Sequence, residues 1–154
     1  MNALAPRTLI LFTGIQGSGK TTFYQDHLSQ YAHINLDTLR TRARERLAFE
    51  RCLQAGESLV VDNTNPTRET RQRYIQPAKR AGYRVVGLYF ASSLSACIRR
   101  NALREGKARV PEQAIACTLN RLELPAYDEG FDALYYVHYD QNAKAIVEDW
   151  REDP

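Results

Sequence analysis

The stretch Thr8-Leu9-Ile10-Leu11-Phe12-Thr13-Gly14-Ile15-Gln16-Gly17-Ser18-Gly19-Lys20-Thr21 decides how the rest of the chain reads. Thr8–Thr13 is a continuous apolar run, the pattern of a strand buried on both faces. Gly14 to Thr21 fits G-x-x-x-x-G-K-[ST], and a helical pattern over Lys20–Tyr31 follows it. A chance match in a chain of this length is about half a per cent from average residue frequencies. Glycines let backbone N–H groups turn inward around phosphate oxygens. The helix N-terminus adds about half a positive charge at the same place. Lys20 is expected to reach the β- and γ-phosphates, and the Thr21 hydroxyl to bind Mg²⁺. Gly14, Gln16, Gly17, Ser18, Gly19, Lys20, Thr21 and Thr22 form the expected donor site, with ATP and Mg²⁺ as cofactors.

Outward from this stretch, strand and helix patterns alternate. Strands are predicted at His33–Asn35, Ser58–Asp62, Arg84–Phe90 and Ala133–Tyr139. Helices are predicted at Thr38–Ala55, Thr67–Ala81, Leu94–Arg104, Pro111–Arg121 and Asn142–Trp150. That alternation implies an α/β fold: a P-loop NTPase-type doubly wound parallel sheet, three layers α/β/α, with a helical lid. No repeat or linker interrupts the 154 residues, so one domain over 1–154 is expected.

Composition excludes several classes. No apolar run approaches the roughly 18–20 residues that cross a bilayer, and Leu9–Phe12 is too short for a signal-peptide core. A cytoplasmic protein with no membrane partner is expected. Cys52, Cys97 and Cys117 form no CxxC pair, so neither structural zinc nor a disulfide partner is expected. His27, His33 and His138 also lack ligand spacing. Net charge is only +3, but arginines outnumber lysines 17 to 4 and bunch at 40–51, 68–80 and 99–109. Arginine is the better bidentate phosphate ligand. Tyr31, Tyr74, Tyr83 and Tyr127 fit base stacking or ordinary packing equally.

Two carboxylates follow strands. Asp62 ends the apolar run Ser58-Leu59-Val60-Val61 and is the expected magnesium partner, directly or through water. Asp37, in Asn35-Leu36-Asp37-Thr38-Leu39-Arg40, lies at a strand's carboxyl end, where doubly wound sheets bind ligands. Its position fits a helix cap and a catalytic base alike.

Asp37 with Arg40, then Asp62-Asn63-Thr64-Asn65-Pro66, then Arg100-Asn101 with Arg104 and Val110-Pro111, resemble the 5′-hydroxyl polynucleotide kinase family. The likeness runs from about Thr8 to Val137 and includes Asp62–Tyr74 and Pro125–Phe131 (Pro-Ala-Tyr-Asp-Glu-Gly-Phe). It implies ATP- and Mg-dependent transfer to the 5′-hydroxyl end of a DNA or RNA strand. Asp37 matches the family's general base, and Arg40 the arginine that engages the acceptor's phosphate. Asp62, Asn63 and Thr64 match the segment lining the metal and acceptor side. Arg100 and Arg104 match lid arginines that close over the donor phosphates. Leu36 stands where such families often carry a basic residue, which favours a short footprint of two or three phosphates. No Asp-x-Asp-Gly-Thr motif is present, so a linked 3′-phosphatase activity is not expected from this sequence. A kinase of a small-molecule hydroxyl would keep the loop, Asp37 and the lid arginines. A non-catalytic ATP-dependent switch would need neither Asp37 nor the lid.

Overall fold

Strand β1 (Thr8–Thr13) is buried along its length, and its side chains alternate between two cores. Leu9 and Leu11 join Phe49, Leu59, Val61, Tyr74 and Ile75 on one face. Ile10 and Phe12 join Phe23, Leu28, Val86 and Phe90 on the other. A strand with helices on both faces needs apolar residues at every position, which is why the sequence runs apolar without alternation. Truncating Leu11 to Ala at such a site costs about 2–5 kcal/mol.

The computed structural model describes residues 7–91, 93–106 and 109–151. Strands β2 (Ala32–Ile34), β3 (Leu59–Val61), β4 (Arg84–Phe90), β5 (Ala133–Tyr139) and β6 (Ala145–Asp149) complete a six-stranded sheet of order β2-β3-β1-β4-β5-β6. Pairing is parallel from β2 through β5, and Leu11 of β1 sits between Val61 of β3 and Gly87 of β4. The loop after β1 therefore leaves the sheet beside the end of β3, at the carboxyl edge where ligands bind in such sheets.

Helix α1 (Lys20–Phe23) continues as a π-helical turn, Tyr24–Leu28. It is followed by α2 (Leu36–Leu39), α3 (Arg42–Ala55), α4 (Arg68–Arg80), α5 (Leu94–Ala102) and α6 (Glu112–Arg121). α3 and α4 cover the Leu11 face through Phe49, Cys52, Tyr74, Ile75 and Ala78, while Phe23 and Leu28 cover the Ile10 face. α5 and α6 meet over Cys97 and Ile115, against Ile15 of the glycine loop. Among the described residues no helix is long and apolar enough to cross a membrane.

Two predicted elements are corrected. The long helix expected at Thr38–Ala55 is two helices: Arg40 turns to φ 74°, and Thr41 Oγ1 then accepts from Arg44 N at 3.1 Å to start α3. The helix expected at Asn142–Trp150 is instead β6, antiparallel to β5. Asp140 Oδ1 accepts from Asn142 N and Lys144 N at 2.8 and 3.0 Å, and Ala143 takes φ 58°, which turns the chain back as a hairpin. Trp150 then stacks on Tyr136 with centroids 4.3 Å apart.

The Asp62–Pro66 and Pro125–Phe131 segments are clasped by one buried ion pair. Arg71 donates through Nε to Glu129 Oε1 at 2.7 Å, through NH2 to Oε2 at 3.2 Å, and through NH1 to Asn65 O at 3.0 Å. Asn65, at φ 43°, in turn donates to Phe12 O at 2.8 Å. The clasp holds the end of β3 against the end of β1.

Candidate active site

The glycine loop has the backbone its sequence implies. Gly17 and Gly19 take φ 80° and 94°. A Cβ on Gly17 would lie 2.6 Å from Cys97 O, and one on Gly19 would run into the Tyr139 ring. Gly14 N donates to Thr64 O at 3.0 Å, which ties the loop to the segment after β3. Lys20 is buried, with Nζ donating to Gly14 O and Ile15 O, both at 2.9 Å. Burial pulls its ammonium down from 10.5 to about 8; the charge of Asp62 opposes that shift and Arg104 reinforces it. Ser18 is buried with its Oγ 3.5 Å from that ammonium. Gln16 Nε2 donates to Thr118 Oγ1 at 3.0 Å, while its buried Oε1 has no protein partner.

Thr21 and Asp62 meet. Thr21 Oγ1 donates to Asp62 Oδ2 at 2.8 Å, and His33 Nε2 lies 2.8 Å from the same oxygen. The His33 ring stacks on Tyr24 at 3.8 Å, an arrangement that spacing alone did not reveal. A hydroxyl and a carboxylate are the hard oxygen donors Mg²⁺ takes, with phosphate and water completing its shell. The donor set therefore fits that ion.

At the end of β2 the helix cap is Asn35, whose Oδ1 accepts from Thr38 N at 3.1 Å while its Nδ2 donates to Asp62 O at 2.7 Å. Asp37 is not a cap. It is exposed and lines a cavity of about 270 Å³ together with Lys20, Thr21, Asp62, Asn63, Thr64 and Arg104. Arg40 does not line that cavity. The helix ends before Arg40, and Arg42, two residues on, lines it instead. Asn35 was legible as a cap as much as Asp37, since both residue types cap well; only the side-chain geometry separates them.

Arg100 and Arg104, the arginines expected in a lid, face different spaces. Arg104 lies beyond the end of α5 and lines the cavity with Lys20. Arg100 donates to Gly17 O at 2.9 Å and sits 5.6 Å from the Tyr139 ring centroid. It lines a separate hollow with Gly19, Thr22 and Tyr139. The expected pairing of Arg100 and Arg104 on one helix face fails because α5 stops at Ala102. Gly106 takes φ 58°, and its carbonyl accepts from Arg109 N at 3.3 Å. Part of the polar segment 105–110, namely 107 and 108, lies outside the described residues.

A second, larger hollow of about 860 Å³ runs between α3 and α4. Arg42, Arg46, Arg73 and Arg80 line it, above Phe49 and Pro77. Arg42 lines both this groove and the cavity at Asp37, and a narrow space lined by Arg42, Asn63, Thr64 and Arg73 lies between them. Of the tyrosines, Tyr74 and Tyr83 are buried core residues and Tyr127 is exposed.

The AAA domain family matches residues 9–125. The bifunctional polynucleotide phosphatase/kinase of Schizosaccharomyces pombe is 28% identical over 80% of this chain and 31% of its own length. A putative bifunctional polynucleotide phosphatase/kinase of Acanthamoeba polyphaga mimivirus is 30% identical over 86% of the chain and 34% of its own length. The chain thus spans about a third of the length of the curated relatives it matches. Chaetomium thermophilum Kti12, solved with ADP-AlF3, superposes with a TM-score of 0.68 over 86% of this chain and 89% of that one, at 18% identity. The chain belongs to the AAA domain family, has the P-loop kinase fold, and resembles polynucleotide phosphatase/kinases in sequence.

Proposed function

We propose that this chain transfers the terminal phosphoryl group of ATP to the 5′-hydroxyl of a nucleic acid strand. The observation that carries the reading is the groove walled by Arg42, Arg46, Arg73 and Arg80, which shares Arg42 with the cavity at Asp37. A small alcohol needs only the inner cavity. A strand end also needs a basic path leading away from it, and arginine forks suit phosphates.

In this reading Asp37 takes the proton of the acceptor hydroxyl as its oxygen bonds to the γ-phosphorus and the bond to the ADP oxygen breaks. Lys20 and Arg104 stabilise charge on the transferring group. The loop N–H groups would hold the other phosphates, and Thr21 and Asp62 would hold Mg²⁺, which would supply Lewis-acid neutralisation of phosphate charge. Arg100, over Tyr139, sits at the back of the loop.

The groove is tested by binding. For single strands the salt slope is about −0.7 per phosphate neutralised, so four arginines allow about −2.8 at most. Arg73→Ala should raise KM for a 5′-hydroxyl oligonucleotide, make the slope shallower by about 0.7, and leave KM for ATP unchanged. An unchanged oligonucleotide KM and slope in both Arg73→Ala and Arg46→Ala would remove the groove from the strand's path.

A further inference from the structure

Glu45, on α3, is a buried carboxylate that the transfer chemistry does not use. A charge removed from water is costly unless its lone pairs are satisfied, and these are. Oε1 accepts from Tyr74 Oη at 2.5 Å and from Arg42 NH1 at 3.3 Å. Oε2 accepts from Asn63 Nδ2 at 2.8 Å. Asn63 Oδ1 then accepts from the N–H of Leu36 at 2.9 Å. One chain of hydrogen bonds thus runs from α3 to the residue before Asp37.

The direction of that chain is set at both ends, by the Leu36 N–H that only donates and by the Glu45 carboxylate that only accepts. A carboxylate only accepts, whereas an amide has a donating and an accepting side. Glu45 therefore locks the Asn63 amide with its NH₂ inward, leaving its oxygen for the N–H of Leu36. That oxygen matters because α2 is a single turn of four residues, which does not persist by itself. Its first N–H groups have no partner within the helix. Asn35 satisfies the N–H of Thr38 and Asn63 satisfies that of Leu36.

We propose that Glu45 is a positioning residue for the acceptor side: by fixing the Asn63 amide it pins the turn that aims Asp37. The same carboxylate orients Arg42, the arginine shared by cavity and groove, although that ion pair is too exposed to add much stability. The inference rests on reading Asp37 as the base.

Glu45→Gln keeps the shape and removes the acceptor-only constraint. Two readouts decide. The first is amide hydrogen exchange at Leu36, with Leu11 as the core reference; it needs no acceptor and no turnover. Protection of Leu36 should fall about tenfold or more in Glu45→Gln while Leu11 is unmoved. The second is kcat against KM for ATP. Misplacing a reacting group by about 1 Å can cost on the order of 10²-fold, so kcat should fall at least about tenfold with KM for ATP within twofold. If Leu36 already exchanges freely in the wild-type protein, the proposal fails without any variant. Unchanged Leu36 protection with unchanged kcat, or a lower melting temperature alone, overturns it as well. Lost Leu36 protection in the variant supports the positioning role even if the wild-type protein labels no oligonucleotide; that second result would count against the substrate reading only.

Discussion

Thr21 Oγ1 donates to Asp62 Oδ2 at 2.8 Å, a bond between residues 41 positions apart that joins the phosphate loop to the end of β3. The parallel pairing of β1 with β3 makes it possible, since both strands deliver their last residues to one edge. Asp62→Ala should weaken Mn²⁺ binding to the protein–nucleotide complex by at least about 10- to 100-fold, the loss typical of a group that orients a metal ligand. Nucleotide affinity in EDTA should stay as it was. Paramagnetic titration of Mn²⁺ measures the first and calorimetry the second.

Lys20 gives the site a pH signature. Burial holds its ammonium near 8 in the free protein, and an anionic nucleotide beside it raises that value. Binding therefore takes up a proton above about pH 8. Affinity for metal-free ADP should be level between about pH 7 and 8, where its terminal phosphate is ionised, and fall above pH 8 by up to about tenfold per pH unit. Calorimetry in buffers of different ionisation enthalpy reports the proton directly. Lys20→Met should bind more weakly and lose the pH dependence.

Asn35 and Asp37 differ in what their loss removes: Asn35 caps the turn that presents Asp37, whereas Asp37 caps nothing. Asn35→Ala removes a cap worth roughly 1 kcal/mol and should lower the melting temperature. Asp37→Asn leaves the cap intact, so the melting temperature should hold while kcat falls by about 10²–10⁴, the usual contribution of a positioned base. A folded Asp37→Asn variant with wild-type kcat would exclude Asp37 as the base.

Arg71 predicts the opposite pattern. Its guanidinium is fully buried against Glu129, and removing one partner of such a pair costs about 3–5 kcal/mol. Arg71→Ala should shift the denaturant midpoint strongly. Arg71→Met with Glu129→Leu, which leaves no uncompensated charge, should recover much of that loss.

β1 was legible because burial on both faces writes an unbroken apolar run, and Thr8–Thr13, Arg84–Phe90 and Ala133–Tyr139 all have the bounds the sequence suggests. The phosphate loop was legible because its geometry is met by glycines and one lysine at fixed spacing. β6 was not, because Ala145–Asp149 has mixed local preferences and is made a strand by pairing with β5. Arg40 misled because the break after Leu39 depends on a left-handed residue that is not glycine. Glu45 reads as one more charge on a solvated helix until Tyr74 and Asn63 close over it. The Asp62–Pro66 run marks the likeness to polynucleotide kinases, yet its Asn65 acts here as a structural tie to Phe12 and Arg71.

Label transfer distinguishes a nucleic acid acceptor from a small alcohol. The protein is incubated with γ-labelled ATP and Mg²⁺, and offered 5′-hydroxyl DNA and RNA oligonucleotides, mononucleosides and a panel of small polyols. Label is expected on oligonucleotide 5′ ends and is lost in Asp37→Asn. Unlabelled oligonucleotides beside an efficiently phosphorylated small alcohol would contradict that expectation and make the chain a small-molecule kinase.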